Sequence, residues 1–209
     1  MKSSYQLYGR QNSGSFAVQV ALEEAGAKYE RIWISKEPGD VERLRRVNPT
    51  GKVPALVLPD GTVMMESAAM LIHLAAIHPE AQLAPRPGTP AHAMFLQWMV
   101  FLSANLYEAA LRIYYSERYS ARGQADAAAV KAQAEADFVA HLEILSPKLG
   151  PWLLGAQYTA ADPYLYMLAG WWPEGLPDLY RRVPGLRPLC EAAAARPAVI
   201  RVEADHASG

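Results

Sequence analysis

Pro54 constrains this chain more than any other residue, because it stands where a short apolar strand, Ala55 to Leu58, has to begin. Its nitrogen carries no hydrogen for a sheet ladder, so it belongs at the first residue of the strand or in a cis turn. Upstream, Pro49 and Gly51 break any helix; downstream, Asp60-Gly61 is a strong hairpin signal and Glu66-Ser67 opens the next helical pattern. The stretch from Arg46 to Met70 therefore reads as loop, strand, tight turn, strand and helix start. Were the Val53-Pro54 bond cis, the amide and carbonyl of Val53 would point sideways into open space, where an extended peptide could pair with them as an added strand.

The segments before this stretch supply the rest of a small sheet. Ser4 to Tyr8 reads as a strand, Ser15 to Glu24 as a helix with Phe16, Val20 and Leu22 at apolar positions and Gly26 as its stop, and Tyr29 to Ile34 as a second strand. Strand, helix, strand over so short a distance predicts a parallel, right-handed βαβ unit. A short helix near Val41 to Val47 leads to the hairpin, and Ser67 to Ile77 forms the helix after it, an order that resembles the thioredoxin fold. Strand signals end where Pro79, Pro85, Pro87 and Pro90 crowd together. Beyond them, Ala91 to Arg122 and Ala125 to Leu149 read as long helices, and Thr159 to Asp162 as a capping box ahead of the apolar segment Tyr164 to Ala169. Short helices are expected near Leu186 to Arg196, and Glu203 to Gly209 reads as a loose end. The expected class is α/β plus all-α, with a thioredoxin-like domain at 1–80, a linker at 81–90 and an all-helical bundle at 91–209.

Composition narrows function by exclusion. Of the 209 residues 51% are hydrophobic and 20% charged, and a formal net charge of -1 gives no reason to expect nucleic acid or an acidic membrane surface as partner. No signal-peptide core opens the chain, and its best apolar run, Met94 to Tyr107, is too short and interrupted to cross a bilayer, which implies a cytoplasmic protein. Cys190 is the single cysteine, so neither an internal disulfide nor a thiolate cluster can form. The histidines lack metal-ligand spacing, and no metal is expected.

Asn48-Pro-Thr-Gly-Lys-Val-Pro-Ala-Leu56 followed by Glu66-Ser67 resembles the glutathione-binding half of cytosolic glutathione transferases, most closely the bacterial ones. Taken alone, Pro54 is as well explained by an edge strand and Glu66-Ser67 by a helix cap; at this separation they fit the family's motif. The resemblance extends over essentially the whole chain, since Tyr158-Thr-Ala-Ala-Asp-Pro-Tyr-Leu165 is similar to the folding signature of the family's helical domain. It implies that Val53, ahead of Pro54, bonds the cysteinyl backbone of glutathione, while Glu66 and Ser67 hold the γ-glutamyl end. Lys36 and Lys52 stand where basic residues face the carboxylates in beta-class relatives, although an isolated lysine is as often a solvated surface group. Glutathione is then the co-substrate, a small electrophile the second substrate, detoxification the setting and a homodimer the assembly.

Such enzymes attack with the glutathione thiolate. A free thiol has a pKa near 8.5, so the site has to lower it by roughly two units, or about 2.7 kcal/mol in favour of the anion. The group responsible should lie between the first strand and first helix, in Gly9 to Ser15. Here the chain departs from beta-class relatives: Gly14 stands where they carry a cysteine, and Tyr107 where they carry a histidine in the helical domain. Serine-type relatives use a hydroxyl in this loop, which makes Ser13 the first candidate, Ser15 the second and Asn12, as an amide donor, the third. Helix capping competes as an explanation for both serines. The electrophile is expected between the domains, near Tyr107, Arg112 and Tyr115, because a cation among hydroxyls favours a polar or anionic co-substrate. Competing readings are a glutathione-dependent isomerase or dehalogenase, and a non-catalytic module that uses the fold for binding or regulation.

Overall fold

The computed structural model describes residues 4–208. They divide into two units, one made of 4–85 together with 194–208 and the other of 86–193.

The first unit is built on a sheet of four strands: β1 (Tyr5–Gly9), β2 (Tyr29–Trp33), β3 (Ala55–Val57) and β4 (Val63–Met64). Their order is β2-β1-β3-β4, with β1 and β2 parallel and the other two pairings antiparallel. Helix α1 (Ser15–Glu24) makes the crossover between β1 and β2, α2 (Pro38–Arg45) leads toward β3, and α3 (Ser67–Ile77) follows β4. The thioredoxin-like arrangement expected from the sequence is therefore present. Gly26, at φ 59°, ends α1 by giving its amide to the Glu23 carbonyl while Ala27 bonds Leu22, a stop that needs a left-handed residue.

Every residue of α1 from Ser15 to Leu22 is buried, including Gln19, which its apolar pattern does not predict. The cause is α10 (Pro197–Ser208), which packs on α1 from the C-terminal end of the chain. Arg196 grips Glu24 through two bonds of 2.6 and 2.9 Å, Arg201 reaches Glu23 at 2.8 Å, and Asp205 takes a bond of 2.7 Å from Gln19 as well as the charge of Arg31. His206 packs edge-on against Phe16 and Trp33. The loose end expected at 203–209 is thus corrected for residues 203–208, which complete α10 and whose Asp205 and His206 find partners the local sequence does not reveal. The same packing assigns the last part of the expected 91–209 bundle to the first unit.

The second unit holds α4 (Pro90–Phe101), α5 (Glu108–Tyr114), α6 (Ala127–Leu145), α7 (Ala161–Ala169), α8 (Gly175–Arg182) and most of α9 (Leu186–Ala194). Phe95, Phe138, Leu142, Tyr164 and Leu168 are fully buried. The single helix expected over 91–122 is interrupted. Leu102–Tyr107 forms π-helical turns, where the Asn105 side chain takes the carbonyl of Phe101 at 3.3 Å, and the helix ends at Tyr114. A side-chain donor that competes for a helical carbonyl loosens the ladder at that point. The expected capping pair is present: Asp162 accepts from the Thr159 amide at 2.7 Å as predicted, Thr159 Oγ1 accepts from the Ala161 amide at 3.4 Å, and the second carboxylate oxygen holds the Leu153 amide at 2.8 Å. No helix among the described residues is long and apolar enough to cross a membrane.

Candidate functional site

The loop before β3 is shaped by Asn48, whose side chain is 2% exposed. Its amide nitrogen donates to the Lys52 carbonyl at 2.6 Å, and its oxygen accepts from the Thr50 amide and hydroxyl at 3.1 and 2.8 Å. A side chain that closes a loop on itself in this way fixes the direction of the peptide that leaves it. That peptide is Val53-Pro54, and it is cis. Among the described residues, neither the amide nor the carbonyl of Val53 has a hydrogen-bonding partner.

Register brings the other motifs to the same place. Tyr8 pairs with Ala55 across β1 and β3, so the residue after Tyr8 comes alongside Pro54. Met64 pairs with Leu56 across β3 and β4, so continuing that ladder by two residues brings Glu66 to the other side of Pro54. Glu66 is exposed and held at φ 68°, ψ 108°, a conformation non-glycine residues rarely adopt. It caps α3 with its backbone only, and Ser67, the first helical residue, is 7% exposed. The start of α3 therefore faces the proline corner with the partial positive charge of a helix N-terminus.

On the opposite side lies the β1–α1 loop. Arg10 anchors it by donating to the carbonyls of Ile34 at 2.9 Å and Ser35 at 2.8 Å, beyond the end of β2. Ser13 Oγ donates to the Arg10 carbonyl at 2.7 Å and lies 2.9 Å from Ser15 Oγ. Ser15 is fully buried, and its hydroxyl also bonds the Arg10 carbonyl at 3.1 Å and accepts from the Arg10 amide at 3.3 Å. Gly9 makes room for it: a Cβ there would stand 2.6 Å from Ser15 Oγ. Ser13 Oγ accepts from the Ser15 amide, the first of α1, at 3.3 Å, while the N-cap residue, Gly14, has no side chain to offer. Asn12 is exposed, at φ 51°, a left-handed conformation that asparagine tolerates.

Lys36 and Lys52 are exposed and have no carboxylate partner among the described residues. In the second unit, Tyr107 packs edge-on against Trp171, with ring centres 5.0 Å apart. Arg112 spends its charge on Asp137 at 3.0 Å, Tyr114 donates to the Trp171 carbonyl at 2.7 Å, and Arg118 lies over the Tyr115 ring at 4.2 Å. The structure thus places Arg112, Tyr114 and Tyr115 near one another in sequence without joining them by hydrogen bonds. A groove of about 380 Å³ runs along α6 beside Trp172, Glu174 and Arg182, and none of the residues named from the sequence lines it. Cys190 is buried and burial pushes its thiol up to about 12, so it carries no thiolate at neutral pH. Sequence reasoning missed Arg10 and the polar role of Asn48; the asparagine-proline pair was visible, but its partners lie in the loop's own backbone.

The first unit thus carries a thioredoxin-like sheet with an unpaired backbone edge at a cis-prolyl corner, a helix start on one side and a hydroxyl-rich loop on the other. Residues 15–77 match the family described as glutathione S-transferase, N-terminal domain. A glutathione S-transferase GstA of Escherichia coli O157:H7 is 26% identical over 171 residues, 79% of this chain and 81% of that protein. A glutathione transferase homolog from Sulfitobacter, crystallised with bound glutathione, superposes with a TM-score of 0.86 at 27% identity, covering 97% of this chain and 98% of that one. A bacterial beta class glutathione S-transferase from Sphingomonas chungbukensis gives 0.80 at 26% identity, over 96% and 98%. Over most of its length the chain is similar to bacterial glutathione S-transferases, and residues 15–77 match that family's N-terminal domain.

Proposed function

We propose that this protein is a glutathione transferase, conjugating glutathione to small electrophiles. The observation that carries the reading is the free backbone edge of Val53 beside Pro54, with Glu66 and the Gly9–Ser15 loop brought to its two flanks by strand register. Glutathione's cysteinyl residue pairs with Val53 as an added strand. Its γ-glutamyl carboxylate lies at the start of α3, among Glu66, Ser67 and the helix amides. Lys36 and Lys52 are the cations available to the remaining carboxylate.

This pose directs the sulfur toward the β1–α1 loop. Ser13, half-buried and at the loop's inner turn, donates its hydroxyl hydrogen to the sulfur and favours the thiolate; the thiol proton leaves to solvent. The thiolate then forms a carbon–sulfur bond with the electrophile as the leaving group departs with its electron pair. Tyr107 is the side chain of the second unit proposed for the electrophile, whereas Arg112, neutralised by Asp137, contributes less to an anionic co-substrate than an unpaired arginine would. A homodimer and a cytoplasmic location accompany the reading; Val63 and Met65 of the first unit are exposed apolar side chains of the kind a second copy covers.

The commitment of both serine hydroxyls to the Arg10 carbonyl favours one alternative, a non-catalytic module that binds glutathione or another peptide without activating a thiol. Calorimetric titration with glutathione, paired with an ultraviolet pH titration of the bound thiol, separates them. Binding below about millimolar with the thiol pKa depressed from about 8.5 is expected. Binding with an unshifted thiol supports the module, and no binding removes the transferase.

A further inference from the structure

The two hydroxyls in the β1–α1 loop share one acceptor, the carbonyl of Arg10, at 2.7 Å from Ser13 and 3.1 Å from Ser15. A hydroxyl has a single hydrogen to give, so Ser13 cannot serve the carbonyl and a sulfur together. If it turned its hydrogen outward alone, it would strip a partner from a carbonyl at the base of the loop, and an unmet polar group there is costly. Ser15 removes that conflict. Its hydroxyl already reaches the same carbonyl, and its backbone amide donates to Ser13 Oγ at 3.3 Å, holding the Ser13 oxygen in place whichever way its hydrogen points.

We infer that Ser15 is a positioning residue: it covers the Arg10 carbonyl whenever Ser13 gives its hydrogen to the glutathione sulfur, so that Ser13 changes acceptor without the loop losing a bond. This rests on the transferase reading above. Three further features agree with it. Ser15 is fully buried, so it is placed to serve the loop and not the ligand. The Arg10 amide donates to Ser15 Oγ at 3.3 Å, orienting its hydrogen away from that amide. Gly9 leaves the space the hydroxyl occupies, since any Cβ would meet Ser15 Oγ at 2.6 Å and Ser15 Cβ at 2.8 Å. The Arg10 backbone is itself held by its guanidinium, clamped to Ile34 and Ser35, so the shared carbonyl stays fixed while the hydrogens are exchanged.

The test is a thermodynamic cycle on the full chain with Ser13→Ala, Ser15→Ala and the double variant, read as the pKa of bound glutathione's thiol and as melting temperature. Ser15→Ala should raise the bound thiol's pKa by about one unit, a ten-fold loss of thiolate near neutrality. The double variant should match Ser13→Ala, because Ser15 acts only through Ser13. Gly9→Ala, which displaces the Ser15 hydroxyl without removing it, should reproduce the Ser15→Ala shift and keeps the test open if either variant folds poorly. A role in packing alone would lower the melting temperature of Ser15→Ala and leave the thiol pKa where it was, which overturns the inference, as would additive effects in the double variant. If Ser13→Ala itself leaves the pKa unchanged while glutathione still binds, Ser13 is not the donor and the inference falls with that part of the mechanism; loss of glutathione binding in the unmodified protein would refute the transferase reading itself.

Discussion

Asp162 is the residue whose removal should cost the second unit most for the fewest atoms. Its carboxylate is fully buried and accepts from the amides of Leu153 at 2.8 Å and Thr159 at 2.7 Å and from the Thr159 hydroxyl at 3.2 Å. Asp162→Ala leaves two backbone donors without partners in a place water reaches poorly, at about 1–3 kcal/mol each. Some relaxation is expected, so the loss should settle near 3 kcal/mol. For a chain of 209 residues that corresponds to a fall in melting temperature of roughly 6–12 °C. Asp162→Asn keeps the shape but turns an NH2 group toward one of the two amides, so it should lose about 2 kcal/mol. Thr159→Ala gives up the long bond from the Ala161 amide and the hydroxyl's 3.2 Å bond to Asp162, and should cost about 1–2 kcal/mol. Urea unfolding of the three variants followed by helical circular dichroism measures the series. An Asp162→Asn variant as stable as the unmodified chain would refute the reasoning, since it preserves volume and changes only which groups are paired.

Other outcomes follow from single contacts. Arg196→Ala should cost about 1–2 kcal/mol, because it breaks a two-point bond to the mostly buried Glu24; a urea midpoint equal to that of the unmodified chain would count against the clasp. His206 is held neutral, its pKa lowered to about 4 by burial and then by the charge of Arg31, with Asp205 opposing. The unfolded chain, with an ordinary value near 6.5, binds the proton first as pH falls, so this contribution is complete above about pH 6.5 and is lost toward pH 4, by up to about 3 kcal/mol. His206→Phe should flatten that part of the stability profile, and an unchanged slope between pH 7 and pH 4 would contradict it. Asn48→Ala should raise the KM for glutathione about ten-fold with a smaller effect on kcat, because it frees the peptide that precedes Val53; steady-state kinetics that show only a kcat loss would exclude this role.

Much of the first unit was legible because its turning points are written in residues with few conformational choices. Pro54 marks the strand start, Gly26 the end of α1, Asp60-Gly61 the hairpin, and each does what its own covalent structure demands. What stayed hidden depends on partners far along the chain. Gln19 looks like a solvent-facing residue until α10 covers it, and residues 203–208 look loose until His206 and Asp205 meet Phe16 and Gln19. The site divides in the same way. Register brings Val53, Pro54, Glu66 and Ser67 to one corner, a grouping the resemblance implied, whereas the difference between Ser13 and Ser15 lies in a shared carbonyl and in burial. No periodicity carries that information. Arg112 was singled out for its charge, and only the fold reveals that Asp137 answers it.

The return of α10 to the first unit has a consequence for how the chain is made. A ribosome releases the sheet and its helices long before the segment that covers α1, with the whole helical unit translated in between. On the nascent chain, Phe16 and Gln19 therefore await a cover that is translated only after the helical unit, and final packing of the first unit waits for it. Cut between residues 193 and 194, the protein becomes a fragment pair, and a synthetic peptide of 194–209 added to the truncated chain should dock in trans and restore its protection from proteolysis.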